Sequence, residues 1–493
     1  MTVPTAQEII ALNDADEINS SDKGNARRFA LLYRDVIRYV MDRDQWLVWN
    51  GRHWEPDEGR LRVIALTAGV TRAIRQEVEA TAPGDDPDDP RSARNRLARH
   101  AFTTESLPSK RRMVDLAATE PGIQVTEEQL DSDPNQLVAS NCTVDMLTGK
   151  CTVTKSSDLN TRCVRVPYDE DAKSPLLTQY LETFMPEPAG QEVLFALLGT
   201  ALRGGNPSRL LPFILGHTTS GKSQLVAALD RLLGPYVCTV GSTIFRGNLD
   251  DKPRPDLVRA MYTRIAYAVE ASKVWELHAD QVKRITGGDA VPYRDLYSKV
   301  VEATPRFTPL IVTNEMPKIK GADPALKRRC LVVRFDRTLP PEKEDTTIKE
   351  RFIHDERCLQ ALLARVVRGA SSELMRNGVR WDLIPSKFAL DTITAFGQMD
   401  NIDEFLMWMR DEGHLVEDDD DLAMMHSARV SSVHGWYAHW ISKHGDKMDK
   451  SEALNLTKFN ASLRERGWQS AVSNGTRWMG KRLLSEKPTL FEL

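Results

Sequence analysis

Residues 211–233 read LPFILGHTTSGKSQLVAALDRLL, and the reading of this stretch decides the fold. Its middle, Gly216 to Ser223, is a full match to GxxxxGK[ST]. Leu211–Leu215 before it is an apolar run of buried-strand length, and Gln224–Leu233 after it spaces its apolar residues as a helix does. A strand, a glycine loop and a helix in that order aim backbone N–H groups and a helix amino end at one point, where phosphate oxygens bind. Lys222 would neutralise the β- and γ-phosphates, and the Ser223 hydroxyl would ligate Mg²⁺. Gly216, His217, Thr218, Thr219, Ser220, Gly221 and Gln224 complete the expected cradle. The implied ligands are ATP and Mg²⁺.

The segments downstream narrow the class. Arg264–Glu270 (RIAYAVE) is an apolar strand ending in an acid. In an open parallel sheet ligands collect at the strands' carboxyl ends, so Glu270 is expected beside the loop, polarising a water or holding the metal shell. Leu310–Asn314 (LIVTN) repeats the pattern with Asn314, which can hold a water and sense the γ-phosphate. Arg328 and Arg329 stand just before the apolar run Cys330–Phe335. They are either a solvated strand end or a pair that reaches a neighbouring subunit's phosphate, a contribution of about 10³–10⁵ in rate for known arginine fingers.

The rest of the chain is consistent with a large, non-membrane, multidomain protein. Its 493 residues suggest about three domains, and 41% hydrophobic with 28% charged residues excludes full disorder. A net charge of −4 means that any DNA contact must come from local patches. The six cysteines form no CxxC pair, so neither a disulfide framework nor a zinc site is expected. The longest apolar runs, near Val193–Leu202 and Leu210–Leu215, are too short to span a bilayer. The opening MTVPTAQEIIALNDADE lacks the basic and apolar parts of a secretory leader.

Residues 24–40 carry an apolar helical face, and WLVWNGRHWE (46–55) places Asn50-Gly51 between tryptophans, a hairpin signal. Those tryptophans either stack bases or fill a small core. PGDDPDDP (83–90) reads as an exposed linker. The basic run from Arg91 to Arg112 touches phosphate or is a solvated helix face. NCTVDMLTG (141–149) suggests short strands about a turn. Nine acids between 402 and 421 mark a helix and an acidic linker, whereas 428–487 holds eleven Lys and Arg against five acids.

Taken in order, the loop, Glu270, KRITGGDAVPYRDLYSK (283–299), TNEMPKIKGADPALKRR (313–329) and NCTVDMLTG resemble the signatures of superfamily 3 helicases. The likeness is to the AAA+ helicase module of phage, plasmid and poxvirus primase–helicases, over about residues 25–340. The resemblance implies a homo-hexameric ring holding ATP between subunits. It also implies a hairpin, about Val291–Phe307 with Lys299 near its tip, gripping single-stranded or forked DNA. Three departures stand out: Thr218, Thr219 and Ser220 where glycine or asparagine is usual, Val269 where a second acid is common, and no primase domain, so a separate primase is implied. The compartment implied is the bacterial host cytoplasm of a phage or mobile element.

At the carboxyl end, Val433, Trp436, Tyr437, Trp440 and Ile441 make one helical core face, and Leu456, Phe459 and Leu463 a second. A hairpin signal at Asn474-Gly475 follows. Helix, helix, hairpin with Lys458, Arg464, Arg477 and Lys481 resembles a DNA-binding winged helix; a partner-docking module is the alternative. The fold class expected is thus α/β: an AAA+ P-loop core, an α+β N-terminal region and a winged-helix-like C-terminal domain. The divisions expected are 1–90, 91–185, 186–385 for the helicase domain with its helical lid, 386–425 for the acidic linker, and 426–493. The function expected is an ATP-dependent replicative DNA helicase; the alternative is an ATP-switched, origin-binding initiator that does not unwind.

Overall fold

The structure, a computed structural model, describes residues 19–82, 86, 89–245, 253–270, 276–294, 300–320, 326, 328–338, 346–375, 379–395, 401–417, 427–444, 455–465, 468–472, 476–479 and 481–483. The first helix starts where the Ser21 hydroxyl accepts from the Gly24 amide, and α1 (Asp22–Tyr33) turns Ala26, Phe29 and Tyr33 inward. Strands β1 (Ile37–Val40), β2 (Gln45–Trp49) and β3 (Trp54–Pro56) follow as an antiparallel set, Trp49 opposite Trp54. The turn between them uses Gly51 at φ +95°, as the Asn-Gly signal predicts. Trp46 and Trp54 are buried to within 1% of complete, and Trp54 Nε1 donates to the Ser156 carbonyl at 2.9 Å. These rings fill a core.

Helices α2 (Leu61–Ala80), α3 (Ala93–Thr104) and α4 (Leu107–Ala117) pack with α1 around Ile74, Ala101, Met113 and Ile123. Helices from both sides of 83–90 therefore share one core. In the basic run Arg112 pairs with Asp22 at 2.7 Å, while Arg91, Arg96, Arg99 and Arg111 are exposed. Strand β4 (Gln124–Val125) adds to β1 in parallel.

Next come three short antiparallel strands, β5 (Gln136–Val138), β6 (Thr143–Asp145) and β7 (Cys151–Thr152). The turn between β6 and β7 is closed by the Asp145 carboxylate, which accepts from the Leu147 and Thr148 amides. One expectation is corrected here. Cys142 and Cys151 are joined as a disulfide, Cα atoms 5.8 Å apart, because the turn folds a nine-residue separation back on itself.

After α5 (Pro175–Phe184) and the almost wholly buried α6 (Pro188–Leu202), the chain builds its main sheet. The elements are β8 (Leu211–Gly216), α7 (Lys222–Leu233), β9 (Val237–Thr239), α8 (Pro255–Met261), β10 (Ile265–Glu270), β11 (Glu276–His278), α9 (Ala279–Gly287), β12 (Val291–Tyr293), β13 (Val301–Ala303), β14 (Thr308–Thr313), β15 (Lys318–Lys320) and β16 (Cys330–Phe335). Five of them form a wholly parallel sheet in the order β16-β8-β14-β10-β9. Both faces are covered, so alternate residues enter two cores: Phe213, Ile311 and Val332 on one side, Ile214, Val312 and Val333 on the other. The second core runs from Leu137 to Phe388, across the expected division at 185. Strands β12 and β13 pair antiparallel, Val291 opposite Ala303, as the expected hairpin. Its Lys299 lies outside the described residues.

The remaining elements are α10 (Thr346–His354), α11 (Glu356–Ala370), α12 (Ser386–Ala395), α13 (Asn401–Asp411), β17 (Leu415–Glu417), β18 (Ser427–Arg429), α14 (Val430–His444), α15 (Leu456–Glu465), β19 (Ser470–Val472), β20 (Thr476–Met479) and β21 (Lys481–Leu483). Segment 386–425, expected as a linker, carries two helices and a strand in its described part. The Thr392 hydroxyl of α12 accepts from the Val332 amide and so blunts the β16 edge. Phe405 and Met409 of α13 enter one core with Trp436, Tyr437 and Phe459, since the apolar face of that acid-rich stretch has nowhere else to be buried. Strands β19 and β20 pair antiparallel, Val472 opposite Thr476; Asn474-Gly475 lies outside the described residues. Among the described residues no helix is long and apolar enough to cross a membrane.

Candidate nucleotide site

All five sheet strands run the same way, so Gly216, Glu270, Thr313 and Phe335 end at one edge. The loop leaves β8 there. A Cβ on Gly216 would stand 3.0 Å from the Phe335 Cβ and 2.9 Å from the Ser220 hydroxyl, so the strand must end on glycine. His217, Thr218 and Thr219 are exposed, and Thr219 sits at φ +63° with its hydroxyl donating to the Thr218 carbonyl at 2.6 Å. Gly221, at φ +86°, caps α7.

Two residues missed in the sequence hold the loop from below. The Tyr180 hydroxyl of α5 donates to the Gly221 carbonyl at 3.0 Å, and its ring stacks on Phe352 at 4.4 Å. Burial pushes the Tyr180 phenol well above its ordinary pKa, which keeps it a donor. Phe184, one turn on, lies against Gly221 where a Cβ would meet its ring at 2.7 Å. The only trace of this in the sequence is an aromatic pair at i and i+4 on an apolar helix face.

Lys222 begins α7 and is 6% exposed. Its ammonium donates to the Gly216 carbonyl at 2.5 Å, the His217 carbonyl at 2.8 Å and the Ser220 hydroxyl at 3.1 Å. Desolvation lowers its pKa, and among the described residues no carboxylate forms an ion pair with it. A cation ringed by neutral acceptors, at the positive end of a twelve-residue helix, is chemistry suited to polyphosphate oxygens. Ser223 is exposed in the first turn, where a Mg²⁺ ligand is needed; Gln224 is buried behind it.

The other candidates divide between the two edges of the sheet. Asn314 follows β14, directly beside the P-loop strand, and is exposed. Glu270 pairs with Thr313, which pairs with Leu215, so one strand separates it from β8 and its Cα lies about 10 Å away. Its side chain lies outside the description. Arg328 and Arg329 are at the opposite edge. Cys330 is level with Leu211 and Phe335 with Gly216, so about 17 Å of strand separates these arginines from their own loop. Arg329 donates to the Thr286 hydroxyl at 2.8 Å and the Lys283 carbonyl at 3.2 Å, while Arg328 is exposed.

Beside the loop, past Phe184, opens a cleft of about 90 Å³. Phe184, Met185 and Phe388 make its apolar wall, and the pairs Arg334–Asp391 (3.0 Å) and Lys387–Glu187 (2.8 Å) make its rim.

With this geometry in place, comparison with known proteins places the first third. Residues 26–186 match the family described as "D5 N terminal like". The chain is 23% identical over 92% of its length to "Putative helicase 121R" of Invertebrate iridescent virus 3. It is 27% identical over 34% of its length to "Putative helicase L207/L206" of Acanthamoeba polyphaga mimivirus. It spans about half (54%) of the first relative's length and 18% of the second's. A solved structure, the apo NrS-1 C-terminal region, aligns over 90% of this chain and 95% of that one at 11% identity, with a TM-score of 0.40.

The matched segment ends at 186 and so contains Tyr180 and Phe184. Part of the loop's support therefore belongs to the segment that precedes the P-loop strand.

Of the expected DNA contacts, Lys458 and Arg464 are exposed on α15, with the Arg464 guanidinium 6.0 Å from the Trp478 ring centroid. Arg477 and Lys481 lie on β20 and β21, their side chains outside the description.

Proposed function

We propose that the chain is an ATP- and Mg²⁺-dependent DNA helicase motor of the AAA+ superfamily 3 type. On this reading it works as a homo-hexameric ring on single-stranded or forked DNA in the replication of a phage or mobile element. The observation that carries the reading is the division of charged machinery between the two edges of one parallel sheet: Lys222 at one, Arg328 and Arg329 about 17 Å away at the other. Arginines so placed serve no nucleotide on their own chain. In a ring of identical subunits the amino edge of one copy meets the carboxyl edge of the next, and the two halves make one site.

Within that site Lys222 and the amino end of α7 hold the phosphates, and Tyr180 fixes the loop carbonyl that shapes them. Asn314 orients a water, Glu270 draws its proton, and the cleft past Phe184 takes the base. Bound Mg²⁺ would supply charge neutralisation through Ser223. Lys299, which follows β12 in the sequence, meets the DNA backbone, and the basic C-terminal unit acts as a winged helix.

Lys222→Ala should lower ATP turnover by roughly 10²–10³-fold with an unchanged melting temperature. Full turnover in that variant would remove the site assignment. Strand displacement on a forked duplex should need hydrolysis; displacement supported equally by a non-hydrolysable analogue, or none at all, turns the reading to the initiator.

A further inference from the structure

The two arginines before β16 are neighbours in sequence but differ in surroundings. The Arg329 guanidinium is tied into its own chain, donating to the Thr286 hydroxyl at 2.8 Å and the Lys283 carbonyl at 3.2 Å. Both acceptors are in the last turns of α9, where the helix dipole favours a cation. Thr286 is 2% exposed and its hydroxyl donates onward to the Val282 carbonyl at 2.8 Å, so the acceptor is held in place. The main-chain carbonyl of Arg329 accepts from the Leu211 amide at 2.7 Å, the first residue of the P-loop strand. One residue thus joins the base of β8 to the end of α9. Directly beyond, the chain turns at Gly288 (φ +87°) and enters β12, the first strand of the hairpin. Arg328 is exposed, and its side chain makes no hydrogen bond or ion pair among the described residues.

We propose that Arg329 is a positioning residue, a strut fixing the root of the β12–β13 hairpin to the amino end of the P-loop strand, and that Arg328 alone of the pair reaches a neighbouring copy's nucleotide. The second half rests on the motor reading above. The division places the group that meets a neighbour's phosphate one peptide bond from the group that holds the hairpin. A shift of Arg328 is then passed to Thr286 through the peptide bond to Arg329 and a charge-assisted hydrogen bond.

The test uses the full chain and two readouts. Hydrogen–deuterium exchange without nucleotide reads the strut. Thr286→Val and Arg329→Ala should speed exchange across residues 283–293 about tenfold, while Thr286→Ser, which keeps the acceptor, and Arg328→Ala should not. Unchanged exchange in the first two variants overturns the strut, and equal acceleration in Thr286→Ser assigns it to packing and overturns it too. ATP turnover in mixtures reads the reaching arginine. Arg328→Ala should be inactive alone and regain turnover when mixed with Lys222→Ala, because a mixed ring contains interfaces with both residues intact. Recovery with Arg329→Ala and not with Arg328→Ala reverses the assignment. If the unaltered protein hydrolyses no ATP, the motor reading and the role of Arg328 fall together, and exchange still decides the strut.

Discussion

Gly221 shows how narrowly one position is constrained. It holds φ +86°, a region that costs an L-residue about 1–2 kcal/mol, and a Cβ there would lie 2.7 Å from the Phe184 ring. Gly221→Ala should therefore lose about 2–4 kcal/mol in urea unfolding along with nucleotide binding. Adding Phe184→Leu should return the steric part and leave the backbone part; no recovery in the double variant would mean that the ring is not the obstacle. The motif makes Gly221 legible in the sequence because glycine, lysine and serine are needed there by the chemistry itself. Tyr180 and Phe184 were not legible, because what they do depends on a contact made across 41 residues, and any residue shape that fills the space would serve. Glu270 was legible as a strand end but not as a distance, since sequence order does not reveal that β14 inserts between β10 and β8.

At the scale of elements, α6 and α11 cross backbone to backbone. A Cβ on Gly199 would stand 2.7 Å from the Ala370 Cα, and one on Gly369 would stand 2.8 Å from the Ala196 amide nitrogen. Gly199→Ala should destabilise the chain by about 2–4 kcal/mol, read as a lowered urea midpoint with an unchanged slope. Read alone, a glycine inside a helix is only a weak point, so this crossing could not be foreseen. Helix α3 gives a pH-dependent case. His100 Nε2 lies 2.9 Å from Asn25 Oδ1, and burial, with Arg28 nearby, holds its pKa below the ordinary 6.5. The unfolded chain then takes up the proton first. Stability is complete above pH 6.5 and falls as the pH drops through that value towards the folded one. His100→Gln, which keeps a hydrogen-bonding amide without titrating, should flatten this acid limb; an unaltered limb would acquit His100.

Over the whole molecule, the change of texture near residue 190 marks where long parallel strands begin, not where a core begins. The segment 133–168 is stapled to the sheet by buried polar contacts that no local pattern announces. Arg264, just before β10, is 4% exposed and donates to the Leu202 carbonyl at 3.2 Å and the Gln136 carbonyl at 2.6 Å, with its guanidinium 4.9 Å from the Tyr236 ring centroid. The Tyr236 hydroxyl accepts from the Val138 amide at 3.1 Å, and burial pushes its pKa up to about 12. Desolvation lowers the Arg264 pKa, so burying this cation would be costly without those carbonyls. A piece of the chain starting at Pro186 loses the Gln136 carbonyl, the Val138 amide, Tyr180 and Phe184 together, whereas a piece starting at Asp133 keeps all four. The first should show no cooperative melting transition and no binding of a fluorescent ATP analogue, and the second should show both. Equal melting of the two pieces would mean that the sheet and its loop stand without the segment before them, and the joint core from Leu137 to Phe388 would then be two cores in contact.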